Sequence, residues 1–175
     1  PVSLPARLYG HALMRALYLH GFASSPQSSK AAFFRSKLVA AGVDVQTPDL
    51  NAPDFSTLTI SRMLGQVSDA IAQLPPGPVV LIGSSLGGFA AVETAARHRV
   101  DRAVLLAPAL DFSAERVHDL GDRSLDAWRA TDRLDVFHSG YGRVLPVHYE
   151  LFADAQNYQP LSIRLDVPVL VFQGR

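Results

Sequence analysis

Gly83-Ser84-Ser85-Leu86-Gly87 is the stretch whose residue types and spacing could do chemistry. The apolar run Val79-Val80-Leu81-Ile82 precedes it, and the helix-like Phe89-Ala90-Ala91-Val92-Glu93-Thr94-Ala95-Ala96 follows. A G-x-S-x-G sequence between strand and helix is the pattern of a nucleophile elbow, which makes Ser85 a candidate covalent catalyst. The chain must reverse sharply there, so the serine backbone is strained and its hydroxyl projects from the sheet. Gly83 and Gly87 remove side chains that would clash in so tight a turn. The helix that starts at the serine aims its free N–H groups and positive dipole end at developing negative charge. A phosphate-binding loop is disfavoured, because no Gly-Lys-Ser/Thr follows.

A serine hydroxyl is a weak nucleophile. It needs a base, a carboxylate to orient that base, and donors for the oxyanion. Leu86, next after Ser85, offers one backbone N–H. The second is expected from the loop after the first strand, His20-Gly21-Phe22-Ala23, with Phe22 as the donor and Gly21 allowing close approach. His20, at the tip of that strand, is expected to hold the loop by hydrogen bonds rather than to act as the base. Asp111 follows the run Ala103–Ala107, where an acid could reach the site, and His138 and His148 lie further on. His11 and His118 have no supporting context. His98, between Arg97 and Arg99, fits a charge at a helix C-terminus.

The elements that must position these groups follow from apolar patterning. Ala16–Leu19, Val79–Ile82, Ala103–Ala107 and Val167–Phe172 are short apolar runs that read as parallel strands buried on both faces. Val43–Thr47, closed by Pro48, is a weaker strand with one polar face. Ile60, Leu64, Val67, Ile71 and Leu74 share one helix face, and Pro75-Pro76-Gly77 ends that helix. Phe33, Phe34, Leu38 and Ala41 stripe an earlier helix closed by Gly42. Strands alternating with helices predict an α/β fold with a mostly parallel sheet and helices on both faces. The excursion from about Asp111 to Asp166 is too long for a simple crossover. Its aromatics, Trp128, Phe137, Tyr141, Tyr149, Phe152 and Tyr158, read as the core of a mostly helical cap over the carboxyl edge of the sheet.

Composition narrows the partners. The 175 residues suit one domain, and 48% hydrophobic content opposes disorder. Sixteen basic and sixteen acidic residues cancel, which implies neither nucleic acid nor an anionic membrane as partner. The absence of cysteine removes disulfides, thiolate metal sites and a cysteine nucleophile, and fits a reducing cytosol. No apolar run is long enough to span a bilayer, and no signal-peptide pattern opens the chain. The cytoplasm is the expected location. Residues 1–13 lack a period and hold Pro1 and Pro5, so they are expected to be an extension or expression remnant before a natural start at Met14.

Leu17-Tyr18-Leu19-His20-Gly21-Phe22-Ala23-Ser24-Ser25-Pro26, Ser29-Lys30, Thr47-Pro48-Asp49-Leu50 and Ile82-Gly83-Ser84-Ser85-Leu86-Gly87-Gly88-Phe89, in this order, resemble the YqiA/YcfP-type esterases. These are small serine esterases of the α/β-hydrolase fold, and the match runs from about Met14 to Arg175. The resemblance implies hydrolysis of carboxylic esters, or of thioesters, by a Ser-His-Asp triad, with a small-molecule substrate and no metal or organic cofactor. In such enzymes the chain order is serine, acid, histidine. The acid follows the strand that here reads Pro168–Arg175, so the triad aspartate and histidine are expected beyond Arg175, with a last helix and strand of on the order of 20–40 residues. A chain that truly ended at Arg175 would instead suit a catalytically inactive small-ligand-binding protein on the same fold. Serine at position 85 excludes the aspartate-nucleophile dehalogenase variant.

Overall fold

Five parallel strands form the central sheet: β1 (Arg15–Leu19), β2 (Asp44–Gln46), β3 (Val79–Ser84), β4 (Arg102–Leu106) and β7 (Val169–Phe172), ordered β2-β1-β3-β4-β7. The structure, a computed structural model, describes residues 13–113 and 122–174. His11, His118 and residues 1–12 of the expected extension lie outside the described residues. Register is continuous across the centre, with Leu17 opposite Leu81 and Leu81 opposite Ala103.

The apolar alternation in each strand serves two cores. Ala16, Tyr18, Val80 and Ile82 face α1 (Ser29–Ala40), meeting Ala31, Phe34 and Leu38. Leu17, Leu19, Leu81 and Leu105 face the opposite layer, built from α2 (Ile60–Ala72) and α3 (Leu86–Ala95). Ser28 and Thr59 cap α1 and α2, their side chains accepting from the N–H groups of Ala31 and Arg62. The stripe expected on α1 is only partly buried: Phe34 stacks on Tyr18 at 5.8 Å, whereas Phe33 is exposed.

One expectation needs an addition. The described part of the cap holds the helices α4 (Asp122–Thr131) and α5 (Glu150–Ala155), and between them it also contains an antiparallel hairpin, β5 (Leu134–His138) and β6 (Arg143–Val147). The sequence there alternates, Leu134-Asp135-Val136-Phe137-His138, and Ser139–Gly142 supplies the turn, so the period is two rather than 3.6. Among the described residues β7 pairs with β4 on one side only, and Val169 to Phe172 are exposed.

The cap is continuous with the domain core. Trp128, Val147, Leu151 and Phe152 join the α2/α3-side cluster, and the Trp128 indole N–H donates to the Val147 carbonyl at 3.0 Å. Asp154 of α5 accepts from the Ser61 N–H at 2.7 Å and from its hydroxyl at 2.5 Å, tying the cap to the start of α2. Among the described residues no helix is long and apolar enough to cross a membrane.

Candidate active site

The strand order reverses between β1 and β3. From β1 the chain crosses to β2 on one side, then returns past β1 to β3 on the other. The loops leaving the carboxyl ends of β1 and β3 therefore diverge, and the crevice between them is where ligands bind in sheets of this kind. His20–Ser25 and the Ser85 turn occupy this place.

Ser85 sits between β3 and α3 with φ 52° and ψ −120°. A left-handed conformation costs a residue with a side chain about 1–3 kcal/mol, so surrounding contacts must hold it. The Ser85 N–H donates to the Leu106 carbonyl at 3.0 Å, and its carbonyl accepts from Gly88 at 2.8 Å and Ala109 at 3.1 Å. A side chain on Gly83 would strike the Gly87 carbonyl, and one on Gly87 would strike that of Leu19. These glycines let three backbone segments meet beneath the serine. Ser85 is exposed although Ile82 to Ser84 and Leu86 to Val92 are buried. Its hydroxyl is therefore the polar group the elbow presents.

Gly88 and Phe89 turn their N–H groups back to the Ser85 carbonyl. The amides that open α3 ahead of them are those of Leu86 and Gly87, the positions with no carbonyl one turn earlier. The β1 loop closes on the same point. A methyl group placed on Gly21 would lie 3.2 Å from Ser85 Cβ and 3.8 Å from its Oγ. Phe22 follows directly, its ring against Phe55 at 5.4 Å. Gly21, Phe22, Ser24, Lys30 and Ser85 line one cavity of about 280 Å³.

His20 is 2% exposed, and both of its ring nitrogens are engaged. Nε2 accepts the Leu50 N–H at 3.1 Å, so the proton lies on Nδ1, which donates to the Gly21 carbonyl at 3.0 Å. Burial pushes its pKa down and keeps the ring neutral. That carbonyl belongs to the same peptide unit as the Phe22 N–H. In a trans peptide the two point in opposite directions, so holding one aims the other.

The in-chain alternatives for base and acid lie elsewhere. Asp111 lines a separate cavity of about 390 Å³ with Phe89, Tyr158 and Pro160. His138 is fully buried, stacked on Tyr141 at 4.0 Å and edge-on to Phe55 at 4.6 Å. Its Nδ1 accepts the Tyr141 N–H at 3.1 Å, and burial lowers its pKa. His148 Nδ1 lies 2.9 Å from the Asp132 carboxylate in the exposed part of the cap. Among the described residues neither histidine nor carboxylate lines the cavity at Ser85, and no group of three His, Asp or Glu could hold a metal.

The order of these motifs matches a family profile across residues 15–175, described as an uncharacterised protein family. The chain belongs to UPF0227. This is the YqiA/YcfP family that the motifs resemble. No curated protein is significantly similar to the chain. Among solved structures, Est1E from Butyrivibrio proteoclasticus with ferulic acid bound is 21% identical, with TM-score 0.73, covering 91% of this chain and 68% of that one. The mouse α/β-hydrolase domain-containing protein 10 is 19% identical, with TM-score 0.74 over 91% of this chain and 68% of its own. A metagenome-derived lipolytic enzyme, from work on LipS and LipT, is 22% identical, with TM-score 0.70 over 96% and 75%. These likenesses establish the α/β-hydrolase fold for this UPF0227 member.

The structure also brings to the site residues to which sequence reasoning gave no role. Lys30 Nζ donates to Ser84 Oγ at 3.0 Å at the cavity wall. Asn51, 3% exposed, donates through Nδ2 to the Ser24 carbonyl at 2.7 Å. Thr47-Pro48-Asp49-Leu50 was a visible motif just before it. The signal was the motif's presence, but its partner lay across the sheet edge.

Proposed function

We propose that this UPF0227 protein is a serine hydrolase acting on carboxylic esters, through an acyl-enzyme on Ser85. The observation that carries the reading is the Ser85 hydroxyl, held exposed at φ 52° above the opening of α3 and beside the Gly21–Phe22 loop. Ser85 Oγ attacks the ester carbonyl, forming an O–C bond. The Phe22 and Leu86 N–H groups receive the oxyanion, and collapse expels the alcohol. The Oγ proton passes through a histidine to the departing alkoxide, and water then cleaves the acyl-enzyme by the same route. Thioesters offer the same electrophilic carbonyl. Both His20 nitrogens already hold backbone partners, so the reading does not use His20 as base; it takes base and acid to be the histidine and aspartate that the resemblance implies, in the serine–acid–histidine chain order. The fold shared with Est1E and with a lipolytic enzyme supports the reading, as does the resemblance of the motifs to YqiA/YcfP-type esterases.

A fluorophosphonate probe on the full-length protein tests this. The expected result is a single phosphonylated residue, Ser85, with no labelling of S85A. An intact fold that takes no label overturns the proposal and leaves a ligand-binding scaffold.

A further inference from the structure

The tip of the cap hairpin touches the loop that follows Phe22. Ser139 donates to the Ala23 carbonyl twice, from its backbone N–H at 2.9 Å and from its hydroxyl at 2.7 Å. Ala23 is itself left-handed, at φ 51°. Such a conformation in alanine persists only when its neighbours hold it. Gly140 completes the contact: a Cβ there would lie 2.6 Å from Ser25 Cβ, so the hairpin backbone rests directly on the loop. From the other side Asn51 holds the Ser24 carbonyl and reaches the Tyr141 hydroxyl at 3.5 Å. The hairpin turn is braced in turn by His138, whose carbonyl accepts from Gly142 at 2.8 Å while its ring stacks on Tyr141.

We propose that Ser139 is a positioning residue for acyl transfer, fixing the Phe22 amide by clamping the next residue, Ala23, to the cap. The inference rests on the acyl-enzyme reading. His20 sets the peptide before Phe22 and Ser139 sets the residue after it, so the oxyanion donor is fixed from both ends. The hairpin tip does not line the cavity at Ser85, so it acts on the donor through the loop and not through the substrate. The hydroxyl contributes only by holding the loop, so its loss weakens the transition state and leaves ground-state binding unchanged.

The test uses the full-length protein with p-nitrophenyl butyrate and a fluorophosphonate. S139A is expected to lower kcat and the phosphonylation rate of Ser85 by about tenfold, with KM within about twofold of wild type. S139T, which keeps the hydroxyl, is expected to restore both rates. In the phosphonylated protein the Phe22 amide proton is expected to move upfield in S139A relative to wild type, a signature that a purely structural role does not produce. S139C, near in size with a weak donor, replaces S139A if that variant does not fold and is read in the same way. Wild-type rates in S139A, equal losses in S139A and S139T, or an unmoved Phe22 amide overturn the inference. If wild-type Ser85 takes no label, the acyl-enzyme reading fails first and the inference falls with it.

Discussion

Asparagine and glutamine at position 20 separate two functions that one imidazole performs. His20 donates from Nδ1 to the Gly21 carbonyl at 3.0 Å and accepts at Nε2 from the Leu50 N–H at 3.1 Å. An asparagine Nδ2 falls near the place of Nδ1, and a glutamine Oε1 near that of Nε2. H20N therefore keeps the bond that aims the Gly21–Phe22 peptide and orphans the Leu50 N–H. H20Q keeps the Leu50 anchor and releases the peptide.

Leaving a buried backbone donor unsatisfied costs about 1–3 kcal/mol, and the site is almost fully enclosed. H20N is therefore expected to lose about 2 kcal/mol of unfolding free energy in urea while keeping kcat within a few-fold of wild type. A whole oxyanion donor is worth about 10²–10³ in kcat. A freed but not deleted Phe22 amide loses part of that, so H20Q is expected to lower kcat about 10–100-fold with KM little changed. Steady-state ester hydrolysis and urea denaturation on the full-length variants read both quantities. Wild-type turnover in H20Q, or activity falling in step with stability in both variants, would refute the link between this ring and the oxyanion donor.

Removing the nucleophile tests strain and chemistry together. S85A and S85G are both expected to lose about six orders of magnitude in kcat, and S85G is expected to be more stable than S85A by about 1 kcal/mol because glycine relieves the positive φ. Differential scanning calorimetry decides the second point, and equal stability counts against stored strain. G87A is expected to prevent folding or to cost more than about 4 kcal/mol, since its methyl would strike the Leu19 carbonyl; soluble, native-like G87A would contradict the packing beneath the elbow. Acid should destabilise the fold. Burial lowers the pKa of both His20 and His138 in the folded state, so the unfolded chain binds protons first as pH falls. Their contribution is fully present above about pH 6.5 and is lost as pH falls through the depressed folded values, at up to about 1.4 kcal/mol per pH unit for each ring. A urea midpoint flat between pH 7 and 5 would show that these rings are not held neutral.

The parts of the site legible in the sequence were those fixed by local chemistry. Gly83, Ser85 and Gly87 declare a turn because a backbone reversal that tight tolerates few residue types, and the apolar run before it can only be a buried strand. Phe22 and His20 were legible one step less directly, from their place just past a strand end. The hairpin in the cap was missed although Leu134–His138 alternates, because its period is short and the surrounding aromatics suggested helix. Ser139 carried no signal, and Asn51 only its place directly after the Thr47-Pro48-Asp49-Leu50 motif. Each acts through a contact with a loop that is remote in sequence, and a polar residue in a turn reads the same whether or not a carbonyl waits opposite.

This division follows from how the strand order places the site. A crevice at the reversal between β1 and β3 is open by construction, because the two loops leave in opposite directions. Nothing in either loop alone closes it. The Ser85 turn is self-sufficient: glycines, a helix start and a bond to Leu106 set it. The facing loop has less internal support, chiefly the His20 bond to the Gly21 carbonyl. It borrows its shape from the segment after β2 through Leu50 and Asn51, and from the cap through Ser139. The cap therefore supports the loop that the proposed hydrolase uses, through the Ser139 bonds to Ala23. Changes at the hairpin tip are expected to alter turnover with little effect on which esters fit, because the tip holds the Ala23 carbonyl and does not line the cavity at Ser85.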